Sequence, residues 1–229
     1  FPVEKLTPFQ SEQIAFYLLR EHPYLYPKLI KDGYADFSYA LEDGTRFRVN
    51  VFSRQRTYNI IMRKLENRIK TIEELNLKPA LYQVAKEKFG LVFVTGATGQ
   101  GKTTTLAAIL HEINKSEAVH IITLEDPIEY LHTPIKATIN QRELGTDFSS
   151  FAEGLKAALR EAPQVILVGE IRDRDTMDIA LSAAETGHLV FSTLHTTTAG
   201  QTINRIIGFY SREEEYQIRQ RLASSLKWV

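Results

Sequence analysis

The chain has 229 residues, of which 43% are hydrophobic and 24% are charged, as expected for a globular protein of one large or two small domains. Its 28 Lys and Arg residues balance 28 Asp and Glu residues, so the whole-chain charge does not favour nucleic acid or an anionic membrane. The lack of cysteine excludes disulfides and thiolate chemistry, and no apolar run approaches the ~20 residues that span a bilayer. We expect a cytoplasmic protein that neither inserts into a membrane nor binds nucleic acid.

The first third of the chain predicts a small α+β domain over residues 1–69. Ser11 can cap a helix that runs to about Arg20, because apolar residues recur there at helical spacing. Three β-rich segments follow, and Asp43-Gly44 is a favourable hairpin turn between the first two. The segments are Ala35–Leu41, Phe47–Phe52 and Tyr58–Met62. We therefore expect a helix packed with an antiparallel sheet.

After a polar linker at residues 70–79, the pattern changes to helices that alternate with short apolar strands over residues 80–229. The predicted strands are Leu91–Thr95, His120–Leu124, Val165–Val168 and Leu189–Leu194. Such alternation predicts right-handed crossovers and a parallel sheet, so the second part is an α/β core. A helical pattern continues to Trp228-Val229, and we expect this core to be incomplete at its carboxy-terminal end.

Four residues mark helix ends in the predicted core. Ser150 and Glu153 have the spacing of a capping box at the start of a helix that Pro163 ends. Gly187 stands where a helix from about Thr176 should end.

Residues 96–103 match the pattern G-x-x-x-x-G-K-[ST] in full, between a predicted strand and a helical run. Such a loop turns backbone N–H groups inward around phosphate oxygens at the positive end of a helix dipole. Lys102 is expected to reach the β- and γ-phosphates of ATP, and Thr103 to place its hydroxyl on Mg²⁺. The flanking elements argue against a chance glycine-rich turn. The predicted nucleotide-binding residues are Gly96, Ala97, Thr98, Gly99, Gln100, Gly101, Lys102, Thr103 and Thr104.

Two further predicted strands are followed by glutamates, Glu125 directly after the first and Glu170 after the second, with one residue between. Because the carboxyl ends of parallel strands meet at one edge of a sheet, we expect both carboxylates to lie near the phosphates. One can position or deprotonate water while the other holds Mg²⁺. For either residue alone, a solvated carboxylate at a strand end is the alternative.

The fourth predicted strand has a histidine near each end. His195 follows it at the edge where the glutamates lie, and an imidazole there can report whether the γ-phosphate is present. His188 precedes it at the opposite end. A hydrogen-bonded structural histidine is the alternative for both residues.

Four segments, in the same order as in the family, resemble the characteristic boxes of the type II/IV secretion ATPase superfamily. They are GATGQGKTTTLAAIL, IITLEDPIEYLH, VILVGEIRDRDT and AETGHLVFSTLHTT. The segments ADFSYALEDGTRFRVNVF and NQRELG are most similar to the members that retract type IV pili in twitching motility. Ala97 and Gln100 depart from the usual Pro and Ser, which matters little where the backbone makes the contacts.

The resemblance implies a homo-hexameric ring in which a PAS-like domain precedes a RecA-like core that hydrolyses ATP to drive pilus retraction. It also implies a pilus platform protein of the inner membrane as partner, which would place the motor at that membrane. On matching positions, Glu125 becomes the water-activating base and Glu170 the Walker B acid and metal ligand. His195 and, less closely, His188 belong to the family's histidine box.

The segment 46–68 is rich in arginine and holds Glu66 as its only acid. In the family it resembles, arginines of the small domain approach the nucleotide of a neighbouring subunit. Arg48, Arg56 and Arg63 are therefore candidates for stabilising charge at the γ-phosphate. A solvated sheet face is the alternative. Two arginines of the core can also face a neighbour, Arg172 and Arg205.

Three other functions fit part of this pattern. The first is a pilus-assembly or type II secretion ATPase, which shares the same boxes. The second is a RecA-type nucleic-acid motor, against which the zero net charge argues. The third is an ATP-binding scaffold without hydrolysis, against which the presence of Glu125 and Glu170 argues.

Overall fold

The computed structural model describes residues 4–229, so residues 1–3 of the predicted first domain lie outside the described residues. The chain divides into two compact units, the first ending at Asn67 and the second beginning at Arg68. Within the described residues, no helix combines the length and hydrophobicity needed to cross a bilayer.

The first unit contains helices and an antiparallel sheet, with the strands in the order β1-β2-β3. Its elements are α1 Pro8–Leu19, α2 Leu25–Asp32, β1 Tyr34–Ala40, β2 Arg46–Arg54 and β3 Thr57–Lys64. Val49 and Val51 on β2 pack with Leu19 of α1 and Leu29 of α2 in the core of this unit. The predicted strands are confirmed, and a second helix accompanies the predicted one.

The predicted start of α1 at Ser11 is wrong, because the helix begins at Pro8 with Thr7 as its cap. The Thr7 hydroxyl accepts a hydrogen bond from the Gln10 backbone N–H at 3.2 Å, and the Thr7 N–H donates to Gln10 Oε1 at 2.9 Å. This reciprocal capping box, with proline at the first helical position, stabilises the earlier start.

The second unit is an α/β fold with a parallel sheet, in the strand order β6-β5-β7-β8-β4-β9. Its elements are α3 Leu81–Val84, β4 Gly90–Thr95, α4 Lys102–Ser116, β5 His120–Glu125, β6 Thr138–Glu143, α5 Phe151–Ala158, β7 Val165–Val168, α6 Arg174–Glu185, β8 Leu189–Leu194, α7 Ala199–Ile207, α8 Glu215–Ser225 and β9 Leu226–Trp228. The four predicted strands are present as β4, β5, β7 and β8.

The expected helical pattern at Trp228 is wrong, because α8 ends at Ser225 and the chain continues as β9 beside β4. The Trp228 indole N–H donates to Glu87 Oε1 at 2.9 Å, which ties this strand to the segment after α3. At Gly90 a Cβ would come within 2.7 Å of the Ser225 carbonyl oxygen. The close approach of β9 therefore depends on a glycine in β4.

Two of the predicted helix ends in this unit are present in modified form. Ser150 caps α5, but the Glu153 side chain pairs with Lys156 at 2.8 Å, so only the serine half of the predicted capping box is shown. Asp173 caps α6, which begins at Arg174, two residues before the expected start. Gly187 follows the end of that helix with φ of 102°.

Both faces of the parallel sheet are buried, as parallel sheets require. Successive β4 residues pack on opposite sides, Leu91 and Phe93 against α6 and α8, and Val92 against α4. The strands are thereby held firmly between two layers of helices. This arrangement fixes the carboxyl ends of the strands, where the sequence placed the site.

Candidate functional site

The phosphate loop (residues 96–103) leads from β4 into α4 and is shaped by its glycines. Gly99 and Gly101 both have φ of 82°, a left-handed conformation that other residues adopt only with strain. Gly101 is the N-cap of α4 and provides no side-chain cap, so the first N–H groups of this helix remain available to a ligand. The loop therefore offers backbone donors at the positive end of a helix dipole.

The Lys102 side chain folds back across the phosphate loop. Its ammonium group donates to the carbonyl oxygens of Gly96 at 2.9 Å and Ala97 at 3.1 Å. Thr103 is half-buried in the first turn of α4. The next residue, Thr104, places its hydroxyl 3.1 Å from that of Tyr130. The start of α4 thus gathers a cation and several N–H groups around the loop, which suits an anion.

Hydrogen bonds just beyond the strands join their carboxyl ends into one continuous edge. The Gly96 N–H donates to Leu194 O at 3.3 Å, and the Gly169 N–H donates to Leu124 O at 2.8 Å. Between these pairs, Thr193 Oγ1 donates to Gly169 O at 2.7 Å. The three residues that follow Leu124, Gly169 and Leu194 are Glu125, Glu170 and His195. The structure therefore brings these side chains to the edge that carries the phosphate loop.

Glu170 lies in the middle of this edge, beside an arginine and a histidine. Its side chain is 15% exposed and forms an ion pair with the exposed Arg172. His195 Nε2 lies 3.7 Å from Glu170 Oε2 and is itself 55% exposed. Because His195 follows the residue bonded to Gly96, it stands between the phosphate loop and Glu170.

Glu125 is buried, with 7% of its surface exposed. Its Oε1 accepts hydrogen bonds from Thr123 Oγ1 at 2.6 Å and from Gln141 Nε2 at 3.1 Å. Burial raises the pKa of Glu125 to about 6, and the two hydrogen bonds offset part of this rise. A carboxylate that titrates near neutral pH is suited to accept a proton from water.

Sequence reasoning missed the polar residues that surround Glu125. Thr123 lies two residues before it on the same face of β5, and Gln141 lies opposite Thr123 on β6. Alternation along β5 could have indicated Thr123. Only the resemblance of the NQRELG segment drew attention to the region of Gln141, because β6 lacks the apolar run typical of a core strand.

His188 lies at the opposite end of β8. Its Nδ1 donates to the Ala183 carbonyl oxygen at 3.0 Å, across the turn that joins α6 to β8. This hydrogen bond favours a structural role for His188 over a role in the histidine box at the nucleotide.

Arg48, Arg56 and Arg63 lie in the first unit. Arg48 and Arg63 are direct partners across β2 and β3, so two cations share one face of that sheet. Arg56 stands at the tip of the hairpin with φ of 62°, about 20 Å further along the strands. The three arginines therefore do not form a single cluster within this unit.

The oxygen donors at the edge fit the needs of Mg²⁺. The described residues include no group of three or more His, Cys, Asp or Glu side chains that could hold a metal. In nucleotide sites Mg²⁺ usually takes only one or two protein ligands and completes its shell with phosphates and water. The Thr103 hydroxyl and the partly exposed Glu170 carboxylate meet this modest requirement.

Comparison with known proteins gives a consistent result. The family model described as "Type II/IV secretion system protein" matches residues 25–229. The chain is 47% identical over 194 residues to the type IV pilus retraction ATPase PilT of Pseudomonas aeruginosa, covering 85% of this chain and 56% of that protein. It is 48% identical to a twitching motility protein of Neisseria gonorrhoeae, covering 85% of this chain and 52% of that protein.

Among solved structures, the pilus retraction motor PilT with bound ADP matches with a TM-score of 0.90 and 43% identity, covering 97% of this chain and 64% of that one. The chain thus spans about half the length of the two relatives, 56% and 52%. Family model, identity and fold agree, and the chain belongs to the type II/IV secretion system protein family.

Proposed function

We propose that this chain is the ATP-hydrolysing part of a motor that retracts type IV pili in twitching motility. The observation that carries the proposal is the row of Glu125, Glu170 and His195 along the edge that bears the phosphate loop. The names of the relatives, a pilus retraction ATPase and a twitching motility protein, support the same function.

In this proposal, residues 96–104 hold the triphosphate of ATP through backbone N–H groups, and Lys102 exchanges its carbonyl partners for phosphate oxygens. Thr103 and Glu170 hold Mg²⁺, which when bound neutralises charge on the β- and γ-phosphates. Glu125 orients a water molecule and accepts its proton as the water oxygen bonds to the γ-phosphorus. The bond from that phosphorus to the β–γ bridging oxygen breaks, and ADP and inorganic phosphate are released. His195, beside both Glu170 and the loop, reports whether the γ-phosphate is present.

We extend the proposal to the whole protein on the basis of the relatives. The second unit is then a RecA-like core and the first a PAS-like domain. Subunits form a homo-hexamer in which Arg48, Arg56 or Arg63 stabilises charge at a neighbour's γ-phosphate. The motor is cytoplasmic and reaches the inner membrane through a pilus platform protein.

Steady-state ATP hydrolysis by the purified full-length protein tests the proposal. Lys102→Ala removes the cation beside the phosphates and is expected to abolish nucleotide binding or turnover. Glu170→Gln is expected to bind nucleotide but to lose at least ~100-fold in kcat. Glu153→Gln, an exposed glutamate on α5, serves as the matched control and should keep wild-type turnover. Wild-type activity in either site variant would refute the assignment.

Retraction and extension are separated by phenotype. Loss of a retraction motor leaves pili on the cell surface without twitching, whereas loss of an assembly motor removes the pili. Counting surface pili in a deletion strain therefore decides between the proposed function and the pilus-assembly alternative.

A further inference from the structure

Gln141 makes three hydrogen bonds through one side-chain amide. Its Nε2 donates to Glu125 Oε1 at 3.1 Å and to the Tyr130 carbonyl oxygen at 2.8 Å. Its Oε1 accepts from the His132 backbone N–H at 2.7 Å. The donors and acceptor of the amide thus all face partners of the right kind. Turning the amide over would set its oxygen against two other oxygens, so only one orientation is stable.

The loop that Gln141 binds leads back to the phosphate loop. Tyr130, whose carbonyl oxygen Gln141 holds, places its hydroxyl 3.1 Å from Thr104 Oγ1. Thr104 is in the first turn of α4, immediately after the phosphate loop. A chain of polar contacts therefore runs from the start of α4 through Tyr130 and Gln141 to the Glu125 carboxylate.

We propose that Gln141 is a positioning residue, which holds Glu125 and the loop 130–132 in one arrangement relative to the start of α4. Its side chain bonds to Glu125, Tyr130 and His132 rather than to the phosphate loop, so it acts through Glu125 and the loop 130–132. The Glu125 carboxylate receives one hydrogen bond from its own strand, through Thr123, one from β6, through Gln141, and one from the Glu129 backbone in the following loop. Gln141 is the only one of these three partners that belongs to the neighbouring strand, so without it β6 would no longer help to orient the group that activates water. The inference rests on the proposed ATPase function.

Gln141→Met keeps the length of the side chain and removes all three hydrogen bonds. We expect kcat for ATP to fall about 10- to 100-fold, because misplacing a reacting group by ~1 Å has an effect of this size. The KM for ATP should stay within about threefold, since the phosphate contacts remain. Gln141→Glu keeps the acceptor for His132 but loses both donors, so it should lower kcat in the same way. A wild-type kcat in both variants would overturn the inference.

Gln164 provides a matched control at the other end of β5. Its Oε1 accepts from the His120 N–H at 2.8 Å, and its Nε2 donates to the Ala162 carbonyl oxygen at 3.3 Å. Gln164→Met therefore removes a glutamine that also ties a strand end to a loop, but far from Glu125. We expect its kcat to stay within about twofold of wild type, as for most changes away from a site.

A double-mutant cycle separates positioning from a general structural role. If Gln141 acts through Glu125, Gln141→Met should cause no further loss of kcat in the Glu125→Gln background. Additive losses would overturn the inference that Gln141 positions Glu125. The wild-type protein tests the proposed function independently. If the wild-type protein does not hydrolyse ATP, the proposed ATPase function is refuted. If the wild-type protein is active and the Gln141 variants keep its kcat, only the positioning role is refuted.

Discussion

Glu125 combines burial with a proposed role that requires negative charge. Burial in a protein interior disfavours the ionised carboxylate, and the hydrogen bonds from Thr123 and Gln141 recover only part of that loss. With a pKa of about 6, the group is ionised at neutral pH but at a cost to folding. Such a trade between stability and reactivity is common at catalytic sites.

The first consequence is a pH dependence of turnover. If Glu125 must be ionised to accept a proton, kcat should fall about tenfold per pH unit as pH decreases below about 6. Turnover at saturating Mg-ATP between about pH 5 and pH 8 checks this. The residual turnover of Glu125→Gln is the control and should lack this acid limb. An identical limb in the variant would assign the titration to another group.

The second consequence concerns stability. The folded-state pKa of about 6 exceeds the ordinary value of 4.5, so the folded protein binds more protons between these pH values and loses stability as pH rises through them. Above that range the buried charge costs about 2 kcal/mol. Glu125→Gln should therefore raise the free energy of unfolding by about 1–2 kcal/mol near neutral pH and by little near pH 4.

Urea unfolding of the variant and wild type at both pH values measures this difference. Glu153→Gln is the control, because Glu153 lies on the surface in an ion pair with Lys156 and its removal should bring no gain at neutral pH. A Glu125→Gln effect that is independent of pH would contradict the account.

At the scale of elements, two glycines in helices face opposite surroundings. On α5, a Cβ at Gly154 would lie 2.9 Å from Phe148 Cδ2, whereas on α7 a Cβ at Gly200 would have no atom within 4 Å. The absence of a side chain at Gly154 therefore lets α5 approach the ring of Phe148 and the end of β5. At Gly200 the glycine serves no packing purpose.

Substituting each glycine with alanine tests this packing. Gly154→Ala should lower the free energy of unfolding by about 1–3 kcal/mol, because overpacking outweighs the gain in helix propensity. Gly200→Ala should raise it by up to about 1 kcal/mol, since only the propensity changes. Thermal unfolding of the two variants gives the comparison. Equal effects of the same sign would show that the Phe148 contact is unimportant.

The core strands were predictable because each is a continuous apolar run buried on both faces. β6, Thr138–Glu143, was not, since a mostly polar edge strand has no such run, and β9 is too short to interrupt the helical pattern before it. The phosphate loop could be located from its motif alone. The role of Gln141 could not, because it depends on the pairing of β5 with β6, which no local pattern encodes.

At the scale of the whole molecule, the two units carry different parts of the proposed machinery. The second holds the phosphate loop and the acidic edge, and the first holds Arg48, Arg56 and Arg63. Like charges directly opposite in a sheet, as for Arg48 and Arg63, are unfavourable unless an anion is near. In the first unit, this pairing of Arg48 with Arg63 best fits the proposal that each subunit contributes arginines to the nucleotide site of its neighbour.

Mixed assemblies test whether sites are shared. Arg63→Ala and Glu170→Gln subunits should each be nearly inactive alone, with nucleotide binding preserved. When the two are mixed in equal amounts, about a quarter of the interfaces should combine an intact arginine with an intact Glu170 and so recover turnover. Arg20→Ala, an exposed arginine after α1, is the control and should remain active alone. A mixture no more active than its components would contradict sharing.

The central claim is that the phosphate loop and the strand ends beside it form one nucleotide site. An experimental structure of the full-length protein with Mg²⁺ and a non-hydrolysable ATP analogue tests it most directly. The account predicts triphosphate on the N–H groups of residues 96–104, Mg²⁺ beside Thr103 and Glu170, and Glu125 facing the water behind the γ-phosphate. A loop without nucleotide, or carboxylates of Glu125 and Glu170 turned away from the phosphates, would contradict it.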